Sequence, residues 1–140
     1  MTSPAYEAAV LQPLVTDEQI RQRAEALIGK ANQRQLWLLF LDDESVQLPL
    51  LIPIDGLPPR PTDENTARVI DRVREVMADI GAESLVIVLE RHASATLSVH
   101  DRDWARSLYA ACEGSGVALR AQLVSHRAGV LLLDPAEYRD

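Results

Sequence analysis

Several signposts of chemistry are scarce in these 140 residues. Cys112 is the single cysteine, so the chain can form neither an internal disulfide nor a cysteine metal cluster. The longest apolar runs, Leu36–Leu41 and Leu85–Leu89, fall far short of the roughly 20 residues a membrane-spanning helix requires. Met1-Thr2-Ser3-Pro4 has neither a basic start nor an apolar run, so no signal peptide is expected. Lys30 is the only lysine against thirteen arginines, and acids outnumber bases to give a net charge of −7. Non-specific nucleic-acid binding rests on a basic surface that displaces counterions, so this charge opposes it. No phosphate-binding P-loop, dinucleotide glycine fingerprint, internal repeat or low-complexity tract occurs. A cytoplasmic location is the default expectation.

What is present is an ordinary globular balance, 47% hydrophobic and 25% charged. The length suits one domain with one sizeable core. Residues 1–15, with Pro4 and Pro13 and no period, read as a loose N-terminal arm or an added strand, and 16–140 as a single domain. Thr16-Asp17-Glu18-Gln19 carries the pattern of a capped helix start, followed by Ile20, Ala24, Leu27 and Ala31 on one face. Leu36–Leu41 is apolar on both alternating faces, which predicts a strand buried on both sides. Val46–Ile54 returns as a second strand, and Pro49 and Pro53 push it to an edge.

Thr62-Asp63-Glu64 opens the strongest helix, with Val69, Val73, Val76 and Ile80 in a stripe and Gly81 placed to end it. Leu85–Leu89 predicts a central strand. Asp101–Glu113 predicts a third helix with Trp104, Leu108 and Ala111 inward. Val117–Val124 and Val130–Leu133 read as two last strands joined at a turn around His126-Arg127-Ala128-Gly129. The order α-ββ-α-β-α-ββ implies an α/β fold with a mixed sheet and helices packed on it in three layers.

Most of the polar residues of interest lie together: Glu90-Arg91-His92-Ala93-Ser94, then Ser98-Val99-His100-Asp101. They follow the predicted central strand, and strand ends of this kind favour ligand sites in α/β folds. Each residue also has an ordinary reading. Ser98 and Asp101 have the spacing of a helix capping pair. His92 ends a strand near the surface, and Glu90 and Arg91 read as solvated or paired with helix arginines. His100 and Asp103 stand three apart at a helix start, where acids are favoured anyway. Cys112 reads as a small buried apolar residue, not a nucleophile. Ser125-His126 lacks the strained elbow of a nucleophilic serine.

Four blocks in order resemble the RadC-like branch of the JAB/JAMM (MPN-fold) superfamily. Leu38-Leu39-Phe40-Leu41-Asp42 is similar to the family's first strand with its "FLD", and Gly56 stands as far past Asp42 as the family's glycine. Val86–His92 occupies the place of the apolar strand that ends in His-x-His, and Ser98-x-x-Asp101 looks like the family's Ser-x-x-Asp. The run from Asp101 to Gly116-Val117-Ala118-Leu119 matches its helix and "GIPL" strand. The similarity spans residues 34–134. It implies a JAB/MPN (cytidine-deaminase-like) architecture.

It also implies where a zinc would sit, held in active members by two histidines and an aspartate, with a glutamate on an early strand moving protons. Here Glu90 replaces the first histidine, His92 is the second, and Asp101 is the aspartate, with Ser98 as the serine that would support the oxyanion. The glutamate position falls near Leu51, which cannot carry a proton. The Pro-Ser-Gly element after the histidines is absent, and the spacing from His92 to Ser98 is shortened.

The resemblance therefore implies a non-catalytic interaction or scaffold domain, with a protein partner or self-association and no cofactor. The alternative is a zinc-dependent, peptidase-like hydrolase with altered ligands Glu90, His92 and Asp101, and Asp55 or Glu44 replacing the base. DNA association, through Arg102 and Arg106, is the third reading, against the acidic charge.

Overall fold

The structure, a computed structural model, describes residues 12–139. Residues 1–11 of the expected N-terminal arm lie outside the described residues. The elements are α1 (Asp17–Leu27), β1 (Gln35–Leu41), β2 (Gln47–Ile54), α2 (Asp63–Ile80), β3 (Ser84–Glu90), α3 (Val99–Ser115), β4 (Leu119–His126), β5 (Gly129–Leu132) and a closing 3₁₀ turn, Pro135–Glu137. The α-ββ-α-β-α-ββ order is the one expected, and the fold is mixed α/β. Among the described residues no helix is long and apolar enough to cross a membrane.

The five strands run in the order β2-β1-β3-β4-β5. Only β3 and β4 are parallel, joined through α3; the other neighbours are antiparallel. Alternation along the strands sorts the side chains between two clusters. Leu36, Leu38, Phe40, Leu85, Ile87 and Leu89 face α2 and α3. Leu39, Leu41, Val86 and Val88 face α1, against Ile20 and Ala24. This explains why β1 and β3 are apolar at nearly every position: each is sandwiched between helices. β3 holds the centre, and β2 lies at an edge with Pro49 and Pro53 exposed, where a missing donor costs least.

The helices begin and end where local chemistry directs. Thr16 and Gln19 complete a capping box at α1, and Thr62 caps α2. α2 ends at Gly81 with φ 70°, a left-handed position that glycine adopts without strain. Val69, Ile70, Val73 and Val76 are its buried stripe.

Three expectations shift. α1 stops at Leu27, so Ala31 is buried beyond the helix and donates its N–H to the His126 carbonyl. On α3 the inward row is Trp104, Leu108 and Cys112, four residues apart, while Ala111 is only half-buried. Ser125 and His126 belong to β4 itself, because its pairing with β5 runs on to His126 and Gly129; the turn is Arg127-Ala128.

After β5, Tyr138 is buried against Tyr109 of α3, with ring centroids 5.6 Å apart. Arg102 bridges to Glu137 at 2.7 Å and ties this last turn to α3.

Candidate functional site

The parallel pair β3–β4 carries its C-terminal ends side by side, with Glu90 opposite Ser125. The Arg91 N–H donates to the Ser125 carbonyl, and Arg127 N–H reaches back to Ala93. The segment 91–98 then crosses to α3. This is where a strand-end site was expected, and four of its charged or polar residues are deeply buried: Glu90, Arg91, Asp101 and Ser125.

Glu90 has the parity of Val86 and Val88 and lies on the α1 side of the sheet. One carboxylate oxygen accepts from the backbone N–H groups of Asn32 (2.5 Å) and Gln33 (3.0 Å). The other accepts from Gln35 Nε2 (2.7 Å) and the Trp37 indole (2.9 Å). Gln35 stands directly across the ladder from Glu90, and Trp37 is two residues on, on the same face. Burial raises the Glu90 carboxyl pKa, but the donors from Gln35, Asn32, Trp37 and Gln33 outweigh it and leave it below the ordinary value. Glu90 thus pins the 28–34 connection to the sheet. Trp37, expected in the core, is half-buried and serves this contact.

Arg91 turns to the opposite face and meets Asp101. Its Nη2 lies 2.9 Å from Asp101 Oδ2, and its Nε lies 3.2 Å and 3.3 Å from the two carboxylate oxygens. The same guanidinium donates to the carbonyls of Ser94 and Thr96, so it also fastens the crossing segment. Asp101 closes the capping box of α3: it accepts from Ser98 N–H at 2.9 Å, while Ser98 Oγ accepts from Asp101 N–H at 3.1 Å. Burial raises the Asp101 carboxyl pKa, and the Arg91 guanidinium and Ser98 amide outweigh it, for a net lowering. Ser98 is a cap here, with its hydroxyl engaged on the helix start.

The three residues expected as metal ligands are not brought together. Glu90 and Asp101 are separated by the sheet, because strand alternation sends Glu90 toward α1 and the Arg91–Asp101 pair toward α3. His92 is exposed beyond the strand end. Among the described residues no group of three or more His, Cys, Asp or Glu side chains is arranged to hold a metal ion. The donor set does not fit zinc, since Glu90 and Asp101 both spend their oxygens on protein donors. The void beside Asp101, lined by Ile87, Leu89, Trp104 and Gln122, measures about 10 Å³, room for one water at most.

Leu51, where the resemblance would put a glutamate, packs half-buried on the α1 side opposite Leu39. Asp55 is exposed just past β2. Glu44 sits in the β1–β2 turn, at the end of the sheet away from Glu90, because Leu41 pairs with Ser84 there.

No protein-family model and no curated protein matches the chain.

The remaining candidates resolve into structural roles. Burial pushes the Cys112 thiol up to about 12, with the Glu113 charge adding to it, so the thiolate nucleophile is suppressed. Ser125 Oγ donates to the Gly29 carbonyl at 2.6 Å, which ties β4 to the end of α1. His126 Nδ1 accepts from Ala128 N–H in the β4–β5 turn. Burial and the nearby Arg91 charge lower the His126 pKa against the opposing pull of Glu25. His100 faces Arg60 at 3.4 Å, and no hydrogen bond joins it to Asp103 among the described residues.

Sequence reasoning missed Arg91 as the organiser of this corner. A signal was there: a strand buried on both faces sends its last residue and the next one to opposite sides, and a buried Arg needs an acid nearby.

Proposed function

We propose that the chain is a non-catalytic RadC-like JAB/MPN-type domain, retained as an interaction or scaffold module that works by contact with a protein partner or a second copy, in the cytoplasm and without a resident cofactor. The support is the ordered motif blocks across residues 34–134, carried on a mixed α/β fold.

The observation that carries the non-catalytic reading is the division of the ligand positions by the sheet. Glu90 is held by four donors on one side, and Asp101 is paired with Arg91 on the other. A hydrolytic zinc needs its protein ligands on one centre with an open position for water. Here Arg91 lies against the aspartate that a metal would otherwise neutralise.

The test is metal content after chelation and zinc add-back, with His92→Ala as control, beside an assay of peptide and isopeptide hydrolysis. The expected result is no stoichiometric zinc and no hydrolysis that depends on His92. One zinc per chain that is lost in His92→Ala would overturn the proposal in favour of a hydrolase with ligands Glu90, His92 and Asp101. DNA association is disfavoured by the net charge of −7 and by the Arg102–Glu137 ion pair, which occupies one of the two arginines it would use.

A further inference from the structure

The outer side of α3, away from the Arg91–Asp101 corner, carries an arrangement that the scaffold reading does not use. Between the 55–61 connection and α3 lies an open groove of about 410 Å³, lined by Arg60, Pro61, Asp103, Arg106 and Ser107. His100 borders it and accepts at Nε2 from Arg60 Nε–H at 3.4 Å, which leaves the two terminal nitrogens of Arg60 for a ligand. Positions 100, 103 and 107 share one face of α3 at helical spacing, with 106 beside them.

The groove is rigidly framed. Trp104 is buried, and its indole N–H is shared between the carbonyls of Pro58 (3.2 Å) and Pro59 (3.0 Å). Three prolines, Pro58, Pro59 and Pro61, restrict the same short connection. Arg60 is therefore delivered to α3 by a segment whose ordering cost is already met within the fold.

The charges are unusual in an acidic protein. Among the described residues no ion pair forms at Arg60 or Arg106, although Asp103 lines the same groove. Two guanidinium groups and a serine hydroxyl around one concavity provide the planar donors that match phosphate oxygens. Asp103 gives the site a second character. It repels a run of neighbouring phosphates and accepts from a hydroxyl or ammonium group.

We propose that this groove binds a compact phosphate monoester that also carries a hydrogen-bond donor, with Arg60, Arg106 and Ser107 on the phosphate and Asp103 on the donor. The proposal stands independently of the RadC-like reading. A nucleic-acid backbone is the less suitable ligand, because successive phosphates would meet Asp103 and a net charge of −7.

The test is an NMR titration of the isotopically labelled full chain with sodium phosphate and with O-phosphoethanolamine, against sodium chloride at matched ionic strength. Saturable shifts are expected at the Arg106 Nε–H, the Ser107 amide and the Arg60 Nε–H as its bond to His100 is disturbed, with half-saturation at ~1 mM, the range for a few exposed charge-assisted contacts. Arg60→Gln and Arg106→Gln each weaken binding at least about fivefold while the remaining spectrum keeps its dispersion. Phosphoethanolamine binds more tightly than phosphate, and Asp103→Asn removes that advantage.

Shifts that do not saturate, that chloride reproduces, or that survive both arginine substitutions would overturn the site. Equal affinity for the two probes would overturn the role of Asp103. Tighter binding of a single-stranded oligonucleotide through the same arginines, falling steeply with salt, would replace the small ligand with a polyanion.

Discussion

Between Glu90 and Arg91 the chain passes from one face of the sheet to the other, and the two adjacent charges are stabilised in different ways. Glu90 has no counter-charge among its hydrogen-bond partners: two backbone amides, a side-chain amide and an indole surround it. Arg91 has a full ion pair with Asp101 and two carbonyls besides. Among the described residues no buried side-chain polar atom lacks a hydrogen-bond partner, so both solutions are complete. The difference lies in what fails when one member is removed. Neutral donors that lose an acceptor cost their desolvation, whereas a buried carboxylate that loses its cation is left as an unbalanced charge.

The largest effect is therefore expected on the α3 side. Arg91→Met strands Asp101 and is expected to destabilise the protein by ~3–5 kcal/mol in urea unfolding. The double variant Arg91→Met, Asp101→Leu removes both charges and is expected to be less damaging than Arg91→Met alone. A double variant as unstable as the single one would mean that the carbonyl contacts of Arg91, and not the stranded charge, hold the corner.

On the α1 side, Glu90→Ala leaves four donors without their acceptor. The Asn32 and Gln33 amides are close enough to solvent to recover partners, so the expected loss is about 3 kcal/mol. The emission of Trp37 is expected to shift to the red as water replaces the carboxylate, while Trp104 remains buried. Unchanged emission would contradict the indole contact.

Acid acts on both sides in the same direction. Both carboxyl groups are held below their ordinary values, so their stabilisation is fully present above those values and is lost as pH falls through the depressed folded ones. Stability is expected to begin falling below the ordinary glutamate value of 4.5, and Glu90→Gln to flatten the upper part of that decline. An unchanged pH profile in Glu90→Gln would assign the acid sensitivity elsewhere.

Ser98→Ala removes one half of the α3 capping box, for an expected loss of ~1 kcal/mol. His92→Ala, at an exposed position, is expected to change stability by less than about 0.5 kcal/mol. A larger loss at His92 than at Ser98 would reverse the order of importance drawn from the structure.

Local and periodic features of the fold were legible. Thr16 with Gln19, Thr62 and Gly81 mark helix ends through bonds within a few residues, so their roles survive in isolation from the rest of the chain. The prolines of β2 announce an edge because a missing N–H is a property of the residue itself. The errors came where a distant partner decides. Ser125 and His126 read locally as part of a turn, because nothing local shows that β5 begins at Gly129 and pairs back to His126. The sequence leaves Glu90 and Arg91 open between solvent and a helix partner, because what holds them comes from Gln35, Trp37 and Asp101, supplied by another strand and a helix. The contact of Tyr138 with Tyr109 likewise has no local signature.

By itself the sequence determined the element order, the two-sided burial of β1 and β3, the caps of the helices and the absence of an acid at Leu51. These follow from residue chemistry and from periods of 2 and 3.6. Only the tertiary structure decided that Glu90 and Asp101 stand on opposite faces of the sheet, that Arg91 neutralises Asp101, and that Arg60 is carried to Arg106. Those outcomes depend on strand register and on which helix covers which face, and both are set by packing the whole chain around one core.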